Sequence, residues 1–333
     1  MESLKPARVE EILSRFPGVR VLVVGDLMLD VYLRGSVSRV SPEAPVPVVN
    51  VREEWRALGG AGNVAANVVA LGAGCAVVGC VGTDGAGDAV IAALERAGIG
   101  GEGVRRLADR PTTVKTRIMA RHQQVARYDR ERTDDVDDRC AAGLADAIDE
   151  AAADADVIVL EDYDKGVLVP AVIEAALAAG GEADRPVVVD PKARRFFDYG
   201  GATVFKPNRT ELEAALGVPV RAEDASWLED VRRRLRCGHL LVTLGGDGMA
   251  LRAGTGEHAR LPAFARSVYD VSGAGDTVTA VVAVALAAGA EIEEAAMLAN
   301  HAAAAEVGKA GVATVSADEL RTTVGTRGAP AGR

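Results

Sequence analysis

Six short runs of consecutive apolar residues punctuate the chain: "VRVLVVGD" near Val21, "CAVVGCVG" near Cys75, "DVIVLED" at Asp156, "PVVVDPK" at Pro186, "ATVFKPN" at Ala202 and "HLLVTLGG" at His239. Runs of Val, Leu and Ile without polar alternation predict strands buried on both faces of a parallel sheet. Between them lie segments rich in Ala, Leu, Glu and Arg, such as "NVAANVVALGA", "DAVIAALERAG" and "LEDVRRRLRCG", several ending in Gly. These predict helices with glycine C-terminal signals. Strands alternating with helices predict a doubly wound α/β fold, a mainly parallel central sheet flanked by helices.

Two stretches break this rhythm. Val31–Val51 and Thr112–Asp129 alternate apolar with polar residues; the first holds three prolines and the second five basic side chains, counting His122. They predict half-exposed strands outside the main sheet, grouped as a small β lid over about residues 31–57 and 110–130. The expected organisation is one domain over 1–325 with this lid inserted, a short amphipathic helix near the N-terminus, and a flexible tail over 326–333.

Composition adds exclusions. The 333 residues carry a formal net charge of −10, which disfavours nucleic-acid binding, where basic patches neutralise phosphates. Small anions remain possible ligands, because local Arg and Lys clusters bind them within an acidic protein. Cys75, Cys80, Cys140 and Cys237 form no CxxC pair; buried structural thiols in a reducing cytoplasm are expected. The longest mostly apolar run, Val278–Ala290, falls short of the about 20 residues that span a bilayer, so no membrane role is expected.

Ligands of doubly wound sheets sit beyond the carboxyl ends of the strands. Asp26, Asp30, Asp162, Asp190, Lys192, Asn208, Thr243 and Gly245 all follow predicted strands. Each alone could be a helix cap; together they point to an active site. No GxxxxGK[ST] loop is present. Gly60–Ala65 fits the loose GxGxx[GA] pattern, but it follows "REEWRAL" and lacks the later acidic ribose contact, which argues against a dinucleotide site. In "GGAGNVAANVVALGA", Asn63 and Asn67 share a helix face and could bond sugar hydroxyls, or Asn63 could cap. In "KPNRTELEAAL", Asn208 and Glu211 form either a capping box or a pair facing nucleotide phosphates or a hydrated Mg²⁺. In "DVSGAGDTVTAVVAVALAAGA", small residues precede a helix N-terminus, which suits an anion hole. Asp276 there is either a general base or a carboxylate placed for the helix dipole.

The order of these motifs supplies a resemblance. "LGGAGNVAANVVALGA" and "DVSGAGDTVTAVVAVALAAG", about 210 residues apart with "NRTE" and "TLGGDG" between them, resemble the signatures of the ribokinase-like (pfkB-type) carbohydrate kinase family. "VVGDLMLDVYLRGSVSRVSPEAPVPVV", "EDYDKG", "DPK" and "VYDVSGAGDTV" are similar to the members acting on heptose 7-phosphate. The resemblance implies ATP- and Mg²⁺-dependent phosphorylation of the anomeric hydroxyl of D-glycero-β-D-manno-heptose 7-phosphate, toward ADP-heptose and the lipopolysaccharide core. The alternatives are a kinase for another sugar or a non-catalytic sugar- or nucleotide-binding regulator.

It also implies roles. Asp276 becomes the base, and Gly273, Ala274 and Gly275 the anion hole. Asp30, Gly59, Gly60, Asn63 and Asn67 become sugar contacts, with Asp162 and Lys165 completing the pocket. Arg39, Lys115 and Arg117 become the clamp for the sugar's phosphate, with Arg121 and Arg127 in reserve. Lys192, Asn208, Glu211, Thr243, Gly245, Gly248 and Asn300 face ATP, Glu211 near the Mg²⁺. Asp270 and Ser272 would hold a monovalent cation such as K⁺. A homodimer through the lid and a separate nucleotidyltransferase acting downstream are the implied partners.

Overall fold

A computed structural model describes residues 4–120, 123–264, 272–309 and 311–325. Its strands are β1 (Arg20–Gly25), β2 (Leu27–Val40), β3 (Pro47–Gly60), β4 (Gly74–Gly82), β5 (Gly100–Leu107), β6 (Thr113–Ala120) and β7 (Gln123–Arg130), followed by β8 (Val157–Glu161), β9 (Val187–Asp190), β10 (Val204–Phe205), β11 (His239–Thr243), β12 (Met249–Arg252) and β13 (His258–Leu261). Its helices are α1 (Pro6–Arg15), α2 (Ala61–Ala70), α3 (Gly85–Ala97), α4 (Asp138–Ala152) and α5 (Pro170–Glu182), then α6 (Arg209–Leu216), α7 (Ala225–Leu235), α8 (Ala274–Ala287), α9 (Ile292–Glu306) and α10 (Ala317–Gly325).

Nine strands form the main sheet in the order β13-β12-β11-β10-β9-β8-β1-β4-β5. The six strands expected from continuous apolar runs form the contiguous parallel block from β11 to β4. The three not anticipated lie at the two ends of the sheet. β5 is half-exposed with charged residues along it, and β12 and β13 are four-residue antiparallel additions. β5 and β13 meet water on one side, so they lack the continuous apolar run that marks a buried strand; β12 is buried but offers only the short run Met249–Leu251.

Two hydrophobic clusters cover the two faces of this sheet. α8 lies in the first. Every residue from Asp276 to Ala285 is buried, against β8 and β9 on one side and α2 and α9 on the other. A helix enclosed on all sides needs no polar stripe, which explains the uniform "VTAVVAVALA". It also fixes where the helix begins, and so where Asp276 sits.

The second sheet has the order β3-β2-β6-β7. β2 starts at Leu27, earlier than the expected lid boundary at residue 31. Asp30 is therefore a lid residue, paired in register with Ala57 and Lys115. The lid is fastened to the segment after α9: the Tyr32 hydroxyl accepts from the Val312 backbone N–H at 3.1 Å.

Two cysteines differ from the buried thiols expected. Cys75 and Cys140 are half-buried, because they lie near an open strand end and in the first helical turn of α4, while Cys80 and Cys237 are buried. Among the described residues no helix is long and apolar enough to cross a membrane.

Candidate active site

Asp276 is the third residue of α8, whose N-cap, Gly273, has φ +93°. A side chain at Gly273 would be strained at that φ, and its Cβ would lie 3.0 Å from the Asn63 amide nitrogen. Asp276 is 5% exposed, and both its oxygens accept hydrogen bonds. The Asn63 Nδ2 donates to Oδ2 at 2.6 Å, and the Tyr163 hydroxyl donates to Oδ1 at 2.8 Å. Gly60, not Asn63, is the N-cap of α2, so the capping alternative for Asn63 falls away.

Burial, and next the charge of Asp190, push the Asp276 carboxyl up to about 6; the hydrogen bonds from Asn63 and Tyr163 pull in the opposite direction. One ligand oxygen from each of Glu161, Asp190 and Asp276 lies within 4.8 Å of the others. Lys206, buried, donates to Asp190 Oδ2 at 2.8 Å. Burial opposes its charge, but Asp190 and Glu161 outweigh that and raise its pKa. Both Glu161 carboxyl oxygens are buried with no hydrogen-bond partner. Burial, then Asp190 and Asp276, hold this carboxyl well above the usual range. Three carboxyls and an orphaned pair of oxygens suit a divalent cation, which supplies the missing positive charge.

On the lid side, Asp30 is buried and ion-paired with Arg117. A Cβ at Gly59 would lie 2.4 Å from Asp30 Oδ2, so only glycine lets the backbone pass so close. Lys115 sits opposite Asp30 on β6, its Nζ 4.7 Å from the centroid of the Tyr163 ring. Burial lowers its pKa, partly offset by Asp30. Lys165 and Arg127 add to the field at Lys115, Lys165 being itself paired with Glu131 at 3.1 Å.

On the other side of Asp276 lies a cavity of about 300 Å³. Asn208, Thr243, Gly245, Gly248 and Asn300, all expected at the nucleotide, line it together with Ala274 and Gly275. Phe264, Val278 and Val307 make much of its wall apolar. Asn300 is oriented by donating to the Pro262 carbonyl at 2.9 Å. Asn208 and Glu211 do form a reciprocal capping box on α6. The two readings of that pair are compatible, because Glu211 spends Oε2 on the cap and Oε1 on an ion pair with Lys192. Neither Glu211 nor Lys192 lines the cavity itself.

Four expectations change. Asn67 is not open to a sugar: its amide donates to the Asn63 carbonyl at 3.0 Å and accepts from Thr277 and Val315. It braces α2 against α8 instead. Asp162 accepts from the Tyr199 hydroxyl at 2.7 Å and the Asp164 N–H at 2.8 Å, so it is a loop anchor; its pKa, about 6, is raised mainly by burial. Arg39 is exposed, nine residues along β2 from Asp30, about 30 Å at the strand rise of ~3.3 Å per residue. It cannot join the Asp30 cluster of its own chain. Arg127 is spent on Asp129. Arg121, His122 and Asp270 lie outside the described residues; of the expected monovalent-cation pair only Ser272, half-buried, is described.

Tyr163, Lys206 and Glu161 were missed, and Asp26 and Asp190 were noted only as strand-end polar residues. Asp26 holds the loop after β8: its carboxylate accepts the backbone N–H groups of Tyr163 (2.8 Å), Lys165 (3.0 Å) and Val167 (3.1 Å). The available signal was position, since Glu161, Tyr163 and Lys206 end or follow strands of the parallel block.

Comparison with known proteins supplies a family and a fold. The family model for pfkB family carbohydrate kinases matches residues 19–319. The bifunctional protein HldE of Citrifermentans bemidjiense is 43% identical over 319 residues, covering 95% of this chain and 66% of that protein. HldE of Caulobacter vibrioides is 47% identical over 311 residues, covering 92% and 63%. The chain thus spans just under two thirds of the length of these relatives. Among solved structures, Arabidopsis thaliana ribokinase complexed with ribose and ATP has a TM-score of 0.73 at 22% identity, covering 92% of this chain and 98% of that one. Escherichia coli phosphofructokinase-2 in complex with potassium has a TM-score of 0.76 at 17% identity, covering 93% and 100%. These two share the fold.

The position of Asp276 predicts a titration midpoint near 6 in the ligand-free protein. The carboxyl carbon resonance that disappears in Asp276→Asn identifies it by NMR. The base form is then full above that midpoint and lost below it; a midpoint near the ordinary ~3.9 would contradict the burial argument.

Proposed function

The chain belongs to the pfkB family of carbohydrate kinases, and from that premise we propose that this ATP-dependent sugar kinase phosphorylates the anomeric hydroxyl of D-glycero-β-D-manno-heptose 7-phosphate. The observation that carries the reading is the placement of Asp276. It lies in the first turn of a helix buried from Asp276 to Ala285, between an apolar cavity sized for a nucleotide base and a lid patch holding Asp30, Lys115 and the Gly59 backbone. Cationic groups near the sugar side favour a substrate already carrying a phosphate. The narrower sequence motifs favour the heptose, and the 1,7-bisphosphate, once hydrolysis has removed its 7-phosphate, would pass to a nucleotidyltransferase on the way to ADP-heptose.

In this mechanism Asp30, Asn63 and the Gly59–Gly60 backbone orient the sugar. Asp276 takes the proton of the C1 hydroxyl, and the freed oxygen attacks the γ-phosphorus in line, breaking its bond to the β–γ bridging oxygen and releasing ADP. The N–H groups opening α8, at Ala274 and Gly275, face the charge that builds on the transferring group; aligned donors of this kind carry most of the work in phosphoryl transfer. Lys192 adds a cation beside Glu211. Mg²⁺ accompanying ATP would be held by Glu211 through water, with Asp190 and Glu161 within reach of the same charge, and would neutralise phosphate oxygens. A monovalent cation at Asp270 and Ser272 belongs to the same proposal.

A second copy is proposed to cover the lid. β3 and β7 are its open edges, and Val37, Val40, Val46, Val51, Val125 and Tyr128 are exposed on or beside its strands. Bare edges and apolar side chains of this kind normally find a partner.

Two measurements check this section. In a panel read by ADP release, heptose 7-phosphate should be turned over faster than fructose 6-phosphate or ribose. Asp276→Asn should lower that turnover at least ~10²-fold, the scale of general-base loss, while ATP binding by calorimetry persists. Activity confined to fructose phosphates would replace the substrate, and a nearly normal Asp276→Asn enzyme would remove the base. Light scattering should give the mass of a dimer; a monomer at micromolar concentration would refute the lid pairing.

A further inference from the structure

We propose that Tyr163 is the positioning residue of this kinase: its hydroxyl fixes the plane of the Asp276 carboxylate, and its ring registers one lysine from each substrate's side against that carboxylate. The inference rests on the reading of Asp276 as the base and adds a residue to it.

The hydroxyl comes first. An aspartate carboxylate turns about its Cβ–Cγ bond unless both oxygens are held. Asn63 holds Oδ2 and Tyr163 holds Oδ1, so the two donors, from α2 and from the loop after β8, leave one orientation. Each oxygen keeps a second lone-pair direction for a substrate hydroxyl.

The support for Tyr163 is unusually firm for a loop residue. Three backbone N–H groups of the 163–167 segment converge on the buried carboxylate of Asp26. Gly166, at φ +83°, packs so closely that a Cβ there would lie 2.0 Å from the Asp134 carbonyl oxygen. The Val136 N–H donates to the Gly166 carbonyl at 3.0 Å, tying the loop to the start of α4. The phenol therefore reaches Asp276 from a fixed base.

The ring has a separate task. The Lys115 Nζ lies 4.7 Å from its centroid and the Lys192 Nζ 5.0 Å. Lys115 is on lid strand β6 beside Asp30, and Lys192 is paired with Glu211 on the nucleotide side. An aromatic ring attracts ammonium groups without neutralising them, so both stay available to phosphate oxygens. One side chain thereby touches the base and a cation from each half of the reaction.

Two variants separate these tasks, Tyr163→Phe and Tyr163→Leu, assayed with heptose 7-phosphate and ATP. Tyr163→Phe keeps the ring and loses the hydroxyl. Its kcat should fall about 10- to 100-fold, the range for a hydrogen bond to a charged group, with both KM values within about twofold of wild type because ground-state contacts remain. Tyr163→Leu should show the same fall in kcat and, in addition, a several-fold rise in KM for both substrates. Melting temperature is recorded alongside. Wild-type kcat in Tyr163→Phe overturns the role of the hydroxyl, and equal KM values in the two variants overturn that of the ring. A kcat loss that follows only a lowered melting temperature assigns Tyr163 to stability and overturns both. Failure of the underlying reading looks different. Near-normal turnover in Asp276→Asn removes the base and this inference with it. A wild type inert toward the heptose but active on fructose 6-phosphate or ribose changes the substrate alone, and the same variants are then compared on that sugar.

Discussion

A carboxylate buried at the end of an apolar helix is costly, and the architecture around Asp276 is organised by that cost. Desolvating a charge without partners is among the most unfavourable events in folding. Here two more carboxyls, Glu161 and Asp190, lie within 4.8 Å. The helix N-terminus of α8, the Asn63 amide, the Tyr163 phenol and the buried Lys206 each offset part of the penalty. What remains is a base whose pKa is raised to about 6, close to the pH at which a general base works best. The energetic problem and the chemical function share one origin.

Each of these partners comes from a different element: Asn63 from α2, Tyr163 from the loop after β8, Asp190 from the end of β9 and Lys206 from the end of β10. Only a parallel sheet brings so many carboxyl ends to one edge, because every crossover returns the chain to the same side. The lid then adds what the sheet lacks. β2 follows β1 after a single residue, Asp26, so the clamp of the 163–167 loop and the start of the lid are neighbours in sequence.

Much of this was legible in the chain. The parallel block was readable because strands buried on both faces must be apolar throughout; β5 and β13 escaped because edges are not bound by that rule, and β12 because its buried run is too short to stand out. The glycine-rich turns and the Asn208–Glu211 pair were legible as motifs, and the meeting of Asn208 with Ala274 and Gly275 at one cavity followed from strand order. What spacing could not show is how a polar side chain divides its hydrogen bonds. Asn67 and Asp162 have the chemistry of sugar ligands, but protein donors and acceptors already engage them. Arg39 has the right charge on the right strand, but too far along it. Tyr163 was overlooked because an aromatic residue in a loop reads as packing until its hydroxyl is seen on Asp276.

The central claim is that Asp276 receives the proton of the hydroxyl that is phosphorylated. It is tested most directly by a crystal structure of the wild-type protein with heptose 7-phosphate and a non-hydrolysable ATP analogue. The account predicts the C1 hydroxyl oxygen within about 3 Å of an Asp276 carboxylate oxygen, in line with the γ-phosphorus, with the nucleotide base in the cavity lined by Thr243, Val278 and Asn300. A sugar bound with a different hydroxyl at Asp276, or with Asp276 facing only Asn63 and Tyr163, would contradict it.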